Sequence, residues 1–192
     1  MWSATPVCRH SLLIAVVAFV LVVAASPAAG HDLGYRWSSS TAQVYQGSTA
    51  YETAIRSAAA NYDSFTDLTV SYTSYPGNIN AIFFFQENTG PGFLAAAVAY
   101  SNGRACSDKS TTALTGYCNT SDRKANYGEV YLNTYYTSEI NTKTNWLMRH
   151  EMGHVFGMAH GLCNEGSVMQ NNCGTLYGSL TGHDINTINS WY

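Results

Sequence analysis

The sequence predicts an α+β fold, and the order of its periodic segments carries that prediction. A helical pattern comes first, a group of strand patterns follows, and a second helical pattern leads into an irregular tail. Strands grouped between helices, without regular alternation, are typical of α+β domains. No internal repeat or long low-complexity linker interrupts this order.

The first helix is predicted from about Ala50 to Tyr62. Thr49 and Glu52 have the spacing of a capping box, in which each side chain bonds a backbone N–H group of the first turn. Four apolar residues then fall on one helical face: Ile55, Ala58, Ala59 and Tyr62.

Four strands are predicted in the middle of the chain. Leu68, Val70 and Tyr72 alternate as in a strand with one buried face. The continuous apolar run 81–85 suits a central strand that is covered on both sides. Residues 93–100 follow the turn residues 90–92, and a shorter strand is predicted over 129–132.

The second helical pattern contains the most informative stretch, residues 150–160. His150 and His154 are four residues apart and therefore project from the same face of a helix. Two such imidazoles can hold one Zn²⁺, and Glu151 beside the first can reach a metal-bound water without ligating the ion. Gly157 allows a sharp turn after the helix, so that His160 returns as third ligand and a fourth position stays open for water.

The opposite face of this helix is apolar, and we expect it to pack against the sheet while the histidines face a cleft. A helix with requirements on both faces is predicted to be buried. Its apolar residues are Met148, Met152, Val155 and Phe156.

The extended motif H-E-x-x-H-x-x-G-x-x-H resembles that of the metzincin zinc endopeptidases, whose motif is followed by a Met-turn. Met169 lies nine residues after His160. The resemblance implies that Met169 forms an apolar floor beneath the three histidines and does not bind the metal. Taken alone, Met169 would be read as an ordinary core methionine.

Two flanking segments extend the resemblance to the matrixin-type metzincins. Residues 90–97 resemble the segment that leads into their edge strand, which pairs antiparallel with an extended substrate, and this assigns Leu94, Ala95 and Ala96 to substrate binding. An ordinary strand is the alternative. Residues 180–192 resemble the closing helix, with Thr181 and Asp184 able to cap its start and Ile185, Ile188 and Tyr192 facing inward. The implied fold is a metzincin-type zincin domain with a mixed twisted sheet, an active-site helix and a C-terminal helix.

The chain differs from related families at several positions, and these differences limit which metal sites and ligands the resemblance implies. Ala96 stands where matrixins hold a structural zinc through histidine, so we expect one zinc and leave calcium open. The small snapalysin-like metzincins, similar in size, usually place aspartate where this chain has His160. Asn171 takes the position of the tyrosine ligand of astacins and serralysins, so no fifth tyrosine ligand is expected.

Residues 1–30 have the features of a signal peptide, which leaves residues 31–192 as one catalytic domain. Arg9 and His10 precede an apolar run, and small residues offer cleavage sites after Ala28 or Gly30. An uncleaved membrane anchor is the alternative, but the run is short for a membrane span. Without Arg9 the remaining chain keeps all 12 acidic residues and has a formal charge of about −4. The sequence has no basic stripe, so we expect no nucleic-acid partner.

Four cysteines remain after residue 30: Cys106, Cys118, Cys163 and Cys173. An even number in an exported chain predicts two disulfides, with three possible pairings. We favour the pairing of sequence neighbours, Cys106 with Cys118 and Cys163 with Cys173. The spacing lacks the C-x-x-C motif that is usual in cysteine-based zinc sites.

The sequence therefore predicts a secreted, extracellular and monomeric zinc endopeptidase that acts on peptide or protein substrates, with no stable membrane association after signal cleavage. Glu151 is expected to activate a zinc-bound water as general base. Tyr177 is either a pocket aromatic or a core residue. A non-catalytic zinc-binding pseudoprotease or interaction module is the alternative, and a structural zinc domain a weaker one.

Overall fold

The computed structural model describes residues 32–75, 77, 80–106, 123–171 and 173–192. The predicted signal peptide and Cys118 lie outside the described residues, and with them the predicted pairing of Cys118 with Cys106. Within the described chain, no helix is both long enough and apolar enough to cross a membrane.

A six-stranded mixed sheet organises the fold. The strands of the described chain are β1 (Arg36–Trp37), β2 (Thr41–Ser48), β3 (Thr69–Tyr72), β4 (Ala81–Glu87), β5 (Ala95–Ser101), β6 (Arg104–Cys106), β7 (Lys124–Ala125) and β8 (Tyr127–Asn133). Their order in the large sheet is β3-β2-β4-β8-β5-β6, and β1 pairs with β7 separately. The first four strands of that order are parallel, whereas β5 runs antiparallel to both β8 and β6.

Over the described residues, three α-helices accompany the sheet: α1 (Glu52–Phe65), α2 (Thr137–Val155) and α3 (Gly182–Asn189). Together with the mixed sheet they confirm the predicted α+β class. Helix α3 has the predicted capping box, in which Thr181 and Asp184 bond each other's backbone N–H groups. Ile188 on α3 is buried, while Ile185 and Tyr192 are partly buried against the core.

The first helix is present, but the capping box predicted for its start was wrong. Helix α1 begins at Glu52 behind the N-cap Tyr51, which makes no side-chain capping bond. The Thr49 hydroxyl instead accepts a hydrogen bond from the Tyr51 N–H group at 3.1 Å. This bond forms a local turn before the helix begins, so the hydroxyl does not cap the helix. Glu52 is then free to pair with Arg56 one turn along.

Helices α1 and α2 pack against each other and against the sheet, and they enclose the core. The predicted apolar face of α2 is buried, including Met148, Met152 and Val155. Its approach to the sheet is close, because a Cβ atom at Gly128 of β8 would lie 2.4 Å from a methyl carbon of Val155. This packing fixes the distance between α2 and the strands β8 and β5.

The prediction that β4 is covered on both sides was wrong. Ile82 and Phe84 are buried, but Phe83 and Phe85 on the other face are only partly buried. That face carries aromatic rings from neighbouring strands, including Tyr127 and Tyr131, which contact the two phenylalanines. A row of aromatic side chains thus replaces a second covering layer, since large rings can bury one another across strands.

Candidate metal centre

The three histidines of the motif converge on one point. The Nε2 atoms of His150 and His154 are 3.1 Å apart, those of His154 and His160 are 3.1 Å apart, and those of His160 and His150 are 3.2 Å apart. Among the described residues, no other group of three or more potential ligands comes together in this way.

The local structure explains this convergence. His150 and His154 lie one turn apart on α2, which ends at Val155. Gly157 then takes a φ of +100°, as expected for a residue that turns the chain at a helix end. A Cβ atom at this position would lie 2.3 Å from the carbonyl oxygen of Tyr35. Glycine is therefore required for two reasons: the positive φ angle and the lack of space for a side chain. The turn returns His160 to the two helical histidines.

The second nitrogen of each helical histidine points to a backbone carbonyl. Nδ1 of His150 lies 3.0 Å from the Val168 oxygen, and Nδ1 of His154 lies 2.7 Å from the Met158 oxygen. Because a carbonyl only accepts, each Nδ1 carries the proton and each Nε2 presents a lone pair. These lone pairs face each other, an arrangement that a cation at the centre would stabilise.

The spacing fits a zinc ion. Four tetrahedral ligands at roughly 2.0–2.1 Å from the ion lie about 3.3–3.4 Å from one another. The nitrogen separations of 3.1–3.2 Å are close to that value. Three imidazole nitrogens leave one tetrahedral position, so the donor set fits a zinc site that is open to water.

Glu151 and His150 are both buried, and burial shifts both pKa values. Burial raises the pKa of Glu151 from 4.5 to about 8. For His150, burial is the main cause that lowers the pKa from 6.5 to about 4, and this keeps the imidazole neutral and able to ligate. A carboxyl group with a pKa near neutrality can accept a proton and release it again, which general acid–base chemistry requires.

The three histidines and Glu151 line a cleft of about 980 Å³. Leu94, Ala95 and Ala96, which the sequence assigned to substrate binding, line it as well. The segment after Met169 contributes further lining residues, namely Asn171, Cys173, Gly174 and Leu176. Tyr177 is not among the lining residues; its hydroxyl lies near Gly166 and the ring is half-buried.

Part of β5 presents an open edge to this cleft. Residues 95–100 pair with β8, whereas β6 covers β5 only over residues 99–101. Within the described residues, 95–98 therefore have no strand on their second side. The backbone N–H and C=O groups of this stretch are the ones that an extended peptide would need.

Met169 is buried against the histidine-bearing helix. A Cβ atom at Gly153 would lie 2.5 Å from its Sδ atom. The loop that carries Met169 is closed by a disulfide between Cys163 and Cys173, with Cα atoms 5.1 Å apart. This is one of the two pairings that the sequence favoured.

Two residues near the centre were missed in the sequence. Trp146 lies one turn before His150, its ring centroid is 4.7 Å from that of His150, and its Nε1–H donates to the Val168 oxygen at 2.8 Å. The four-residue spacing from His150 was the available signal for Trp146. Val168 acts through its backbone carbonyl, for which no sequence signal exists.

No family model matches the sequence, and no curated protein matches it. Among solved structures, the chain is similar to high choriolytic enzyme 1, a hatching enzyme zinc-protease from Oryzias latipes (medaka fish). That match has 13% sequence identity and a TM-score of 0.40, and covers 81% of this chain and 92% of the other. A likeness at this level adds no inference about activity to what the geometry supports.

Proposed function

We propose that this protein is a zinc-dependent endopeptidase of the metzincin type. The observation that carries the proposal is the juxtaposition of three converging Nε2 atoms with the buried Glu151 carboxyl in one cleft. The motif over residues 150–160 and the methionine at 169 support assignment to the metzincins, and the geometry itself is independent of that resemblance.

His150, His154 and His160 would hold the zinc ion. When bound, zinc lowers the pKa of a coordinated water and polarises a carbonyl group. Glu151 accepts the proton of the attacking water and passes it to the leaving amine, acting first as base and then as acid. Its burial keeps competing solvent away from the carboxyl group during this transfer.

The substrate would bind as an extended strand along residues 95–98. Backbone hydrogen bonds to this open edge give affinity without strong selection of side chains. Residues 95–98 line the same cleft as the three histidines. A substrate bound there would pass the metal centre with its backbone extended.

We further propose that the enzyme is exported and acts as an extracellular monomer. Residues 1–30 have signal-peptide features, and the disulfide between Cys163 and Cys173 is of a kind that persists in oxidising compartments. We propose no nucleic-acid partner and no membrane partner.

A zinc-binding module without catalysis is the second candidate. Retention of a buried carboxyl group beside the three histidines favours the enzyme, because ligation alone does not need Glu151. The deciding experiment follows casein cleavage by residues 31–192 with zinc, with a chelator, and as the Glu151→Ala variant with zinc. Cleavage lost in the last two cases supports the enzyme. Absence of cleavage by wild-type protein that holds one zinc per chain would favour the binding module.

A further inference from the structure

We infer that Asp184 is a positioning residue for the metal centre and that it acts on His150 through the backbone of Val168. The inference rests on the proposed zinc site, but not on peptide hydrolysis. Asp184 lies on α3, outside the motif, and the sequence assigned it only a role in capping that helix.

Asp184 is a fully buried carboxylate, with a relative exposure of 0%. Within the described chain it forms no ion pair. It is held by hydrogen-bond donors from two segments. Ser167 donates through its hydroxyl and Val168 through its N–H group at 3.0 Å, while Thr181 donates through its N–H group and its hydroxyl, each at 2.9 Å. A buried carboxylate without a cation is stable only when it is so bonded.

These bonds exceed what a helix cap requires. The capping box accounts for the contacts with Thr181. The contacts with Ser167 and Val168 reach across to the loop before Met169, 16 to 17 residues earlier in the chain. Asp184 therefore joins α3 to the loop that passes beneath the histidine-bearing helix.

Val168 transmits this link to the metal centre. Its N–H group is bound to Asp184, and its carbonyl oxygen accepts two bonds, from Nδ1–H of His150 at 3.0 Å and from Nε1–H of Trp146 at 2.8 Å. Val168 is completely buried, so neither polar group can turn to water instead. Displacement of Val168 would remove the acceptor that orients His150.

The link to Val168 determines which ring nitrogen of His150 is protonated and how its ring is oriented. With Nδ1 protonated toward Val168, Nε2 keeps its lone pair and faces His154 and His160. Removal of a group that hydrogen-bonds a metal ligand typically weakens metal binding by about 10–100-fold. Asp184 does not bond His150 itself; it holds Val168, whose carbonyl oxygen accepts the bond from His150, in place.

The test compares Asp184→Ala with Thr181→Ala. Asp184→Ala removes both carboxylate oxygens, so the hydrogen bonds that Val168 and Ser167 donate to them are lost. Thr181→Ala removes the hydroxyl of the capping box but leaves the contact between Asp184 and Val168. It therefore serves as the control for loss of helix capping, which costs about 1 kcal/mol.

Two readouts are used, neither of which needs peptide cleavage. The first is the zinc dissociation constant, measured by competition with a chelator. The second is the ¹⁵N chemical shift of the ring nitrogens of His150 in metal-free protein, which reports which nitrogen carries the proton. We expect zinc binding to weaken about 10–100-fold in Asp184→Ala and to stay at the wild-type value in Thr181→Ala. In metal-free wild type we expect His150 to be protonated at Nδ1, with this preference lost in Asp184→Ala.

The inference is overturned if Asp184→Ala binds zinc as tightly as wild type, or if Asp184→Ala and Thr181→Ala weaken zinc binding equally. It is also overturned if His150 of wild type is protonated mainly at Nε2, a result that requires no variant to fold. Failure of wild type to cleave any peptide, with these readouts as expected, would count against the proposed function alone.

Discussion

Gly153 allows Met169 to lie directly against the backbone of the helix that carries His150 and His154. A Cβ atom at residue 153 would come within 2.5 Å of the Met169 Sδ atom and within 2.9 Å of the Tyr62 hydroxyl. The contact joins the loop after the motif to the centre of α2. Its disruption should therefore affect both the stability of the fold and the metal centre.

Gly153→Ala tests this contact. Overpacking costs about 1–3 kcal/mol, while the better helix propensity of alanine returns up to about 1 kcal/mol. We expect a net loss in the free energy of unfolding together with weaker zinc binding, because Met169 has to move. Gly178→Ala is the control, since a Cβ atom there meets nothing within 4 Å. Equal behaviour of the two variants in urea unfolding would refute the claim.

Gly157→Ala tests the turn that returns His160 to the cluster. Alanine at a φ of +100° is strained, and its Cβ would lie 2.3 Å from the Tyr35 carbonyl oxygen. Gly103→Ala isolates the backbone strain, because Gly103 has a φ of +76° with no atom within 4 Å of a Cβ. We expect a loss of about 1–2 kcal/mol in the control and a clearly larger one in Gly157→Ala, measured by thermal and urea unfolding. Equal losses of stability in the two variants would show that the contact with Tyr35 does not contribute.

The buried carboxyl group predicts how the stability of metal-free protein depends on pH. Burial raises the pKa of Glu151 from 4.5 to about 8. Between these values the folded chain keeps a proton that the unfolded chain releases, so stability falls as pH rises through this window. Each pH unit corresponds to at most about 1.4 kcal/mol.

The effect of Glu151 is isolated by subtracting the unfolding free energy of the Glu151→Gln variant from that of the wild type at each pH. His150 acts in the opposite sense, because burial lowers its pKa from 6.5 to about 4 and stability rises with pH between those values. Since His150 is present in both proteins, its contribution cancels in the difference. We expect the difference to decrease from about pH 4.5 to 8. A difference that is flat with pH would mean that Glu151 is not desolvated in the folded chain.

The disulfide between Cys163 and Cys173 should stabilise the fold by restricting the unfolded chain. The two cysteines are 10 residues apart, and closure of a loop of this size is worth about 3 kcal/mol. We expect the double variant Cys163→Ala/Cys173→Ala to lose stability of this order in urea unfolding. Its zinc affinity should fall less than that of Asp184→Ala, because Asp184 still accepts the hydrogen bond from Val168. A larger fall in zinc affinity would assign the positioning of the loop to the disulfide instead.

The local features of the site were predictable from the sequence because they depend on spacing along one helix. Histidines four residues apart on α2 must share a face, and the cap at Thr181 and Asp184 also lies within one turn. The strand β2 was not predicted. Only Ala42 and Val44 in its first half are buried, and this is too short an apolar alternation to distinguish a strand from a loop.

The supports behind the site were not predictable because they join distant parts of the chain. The bond from Asp184 to Val168 spans 16 residues, and the bond from His150 to Val168 spans 18. The second involves a backbone carbonyl, which every residue has, so no residue type marks it. Likewise, the partial burial of the aromatic face of β4 depends on the side chains of the flanking strands, and the apolar run alone could not reveal it.

The most direct test of the account is a zinc titration of metal-free protein in which binding and cleavage of an internally quenched peptide are followed together. Three converging histidine nitrogens predict that the cleavage rate rises with added zinc and levels off at one ion per chain. The Glu151→Gln variant should take up the same single ion and cleave nothing. A wild-type rate in that variant, or a rate that does not depend on zinc, would contradict the account.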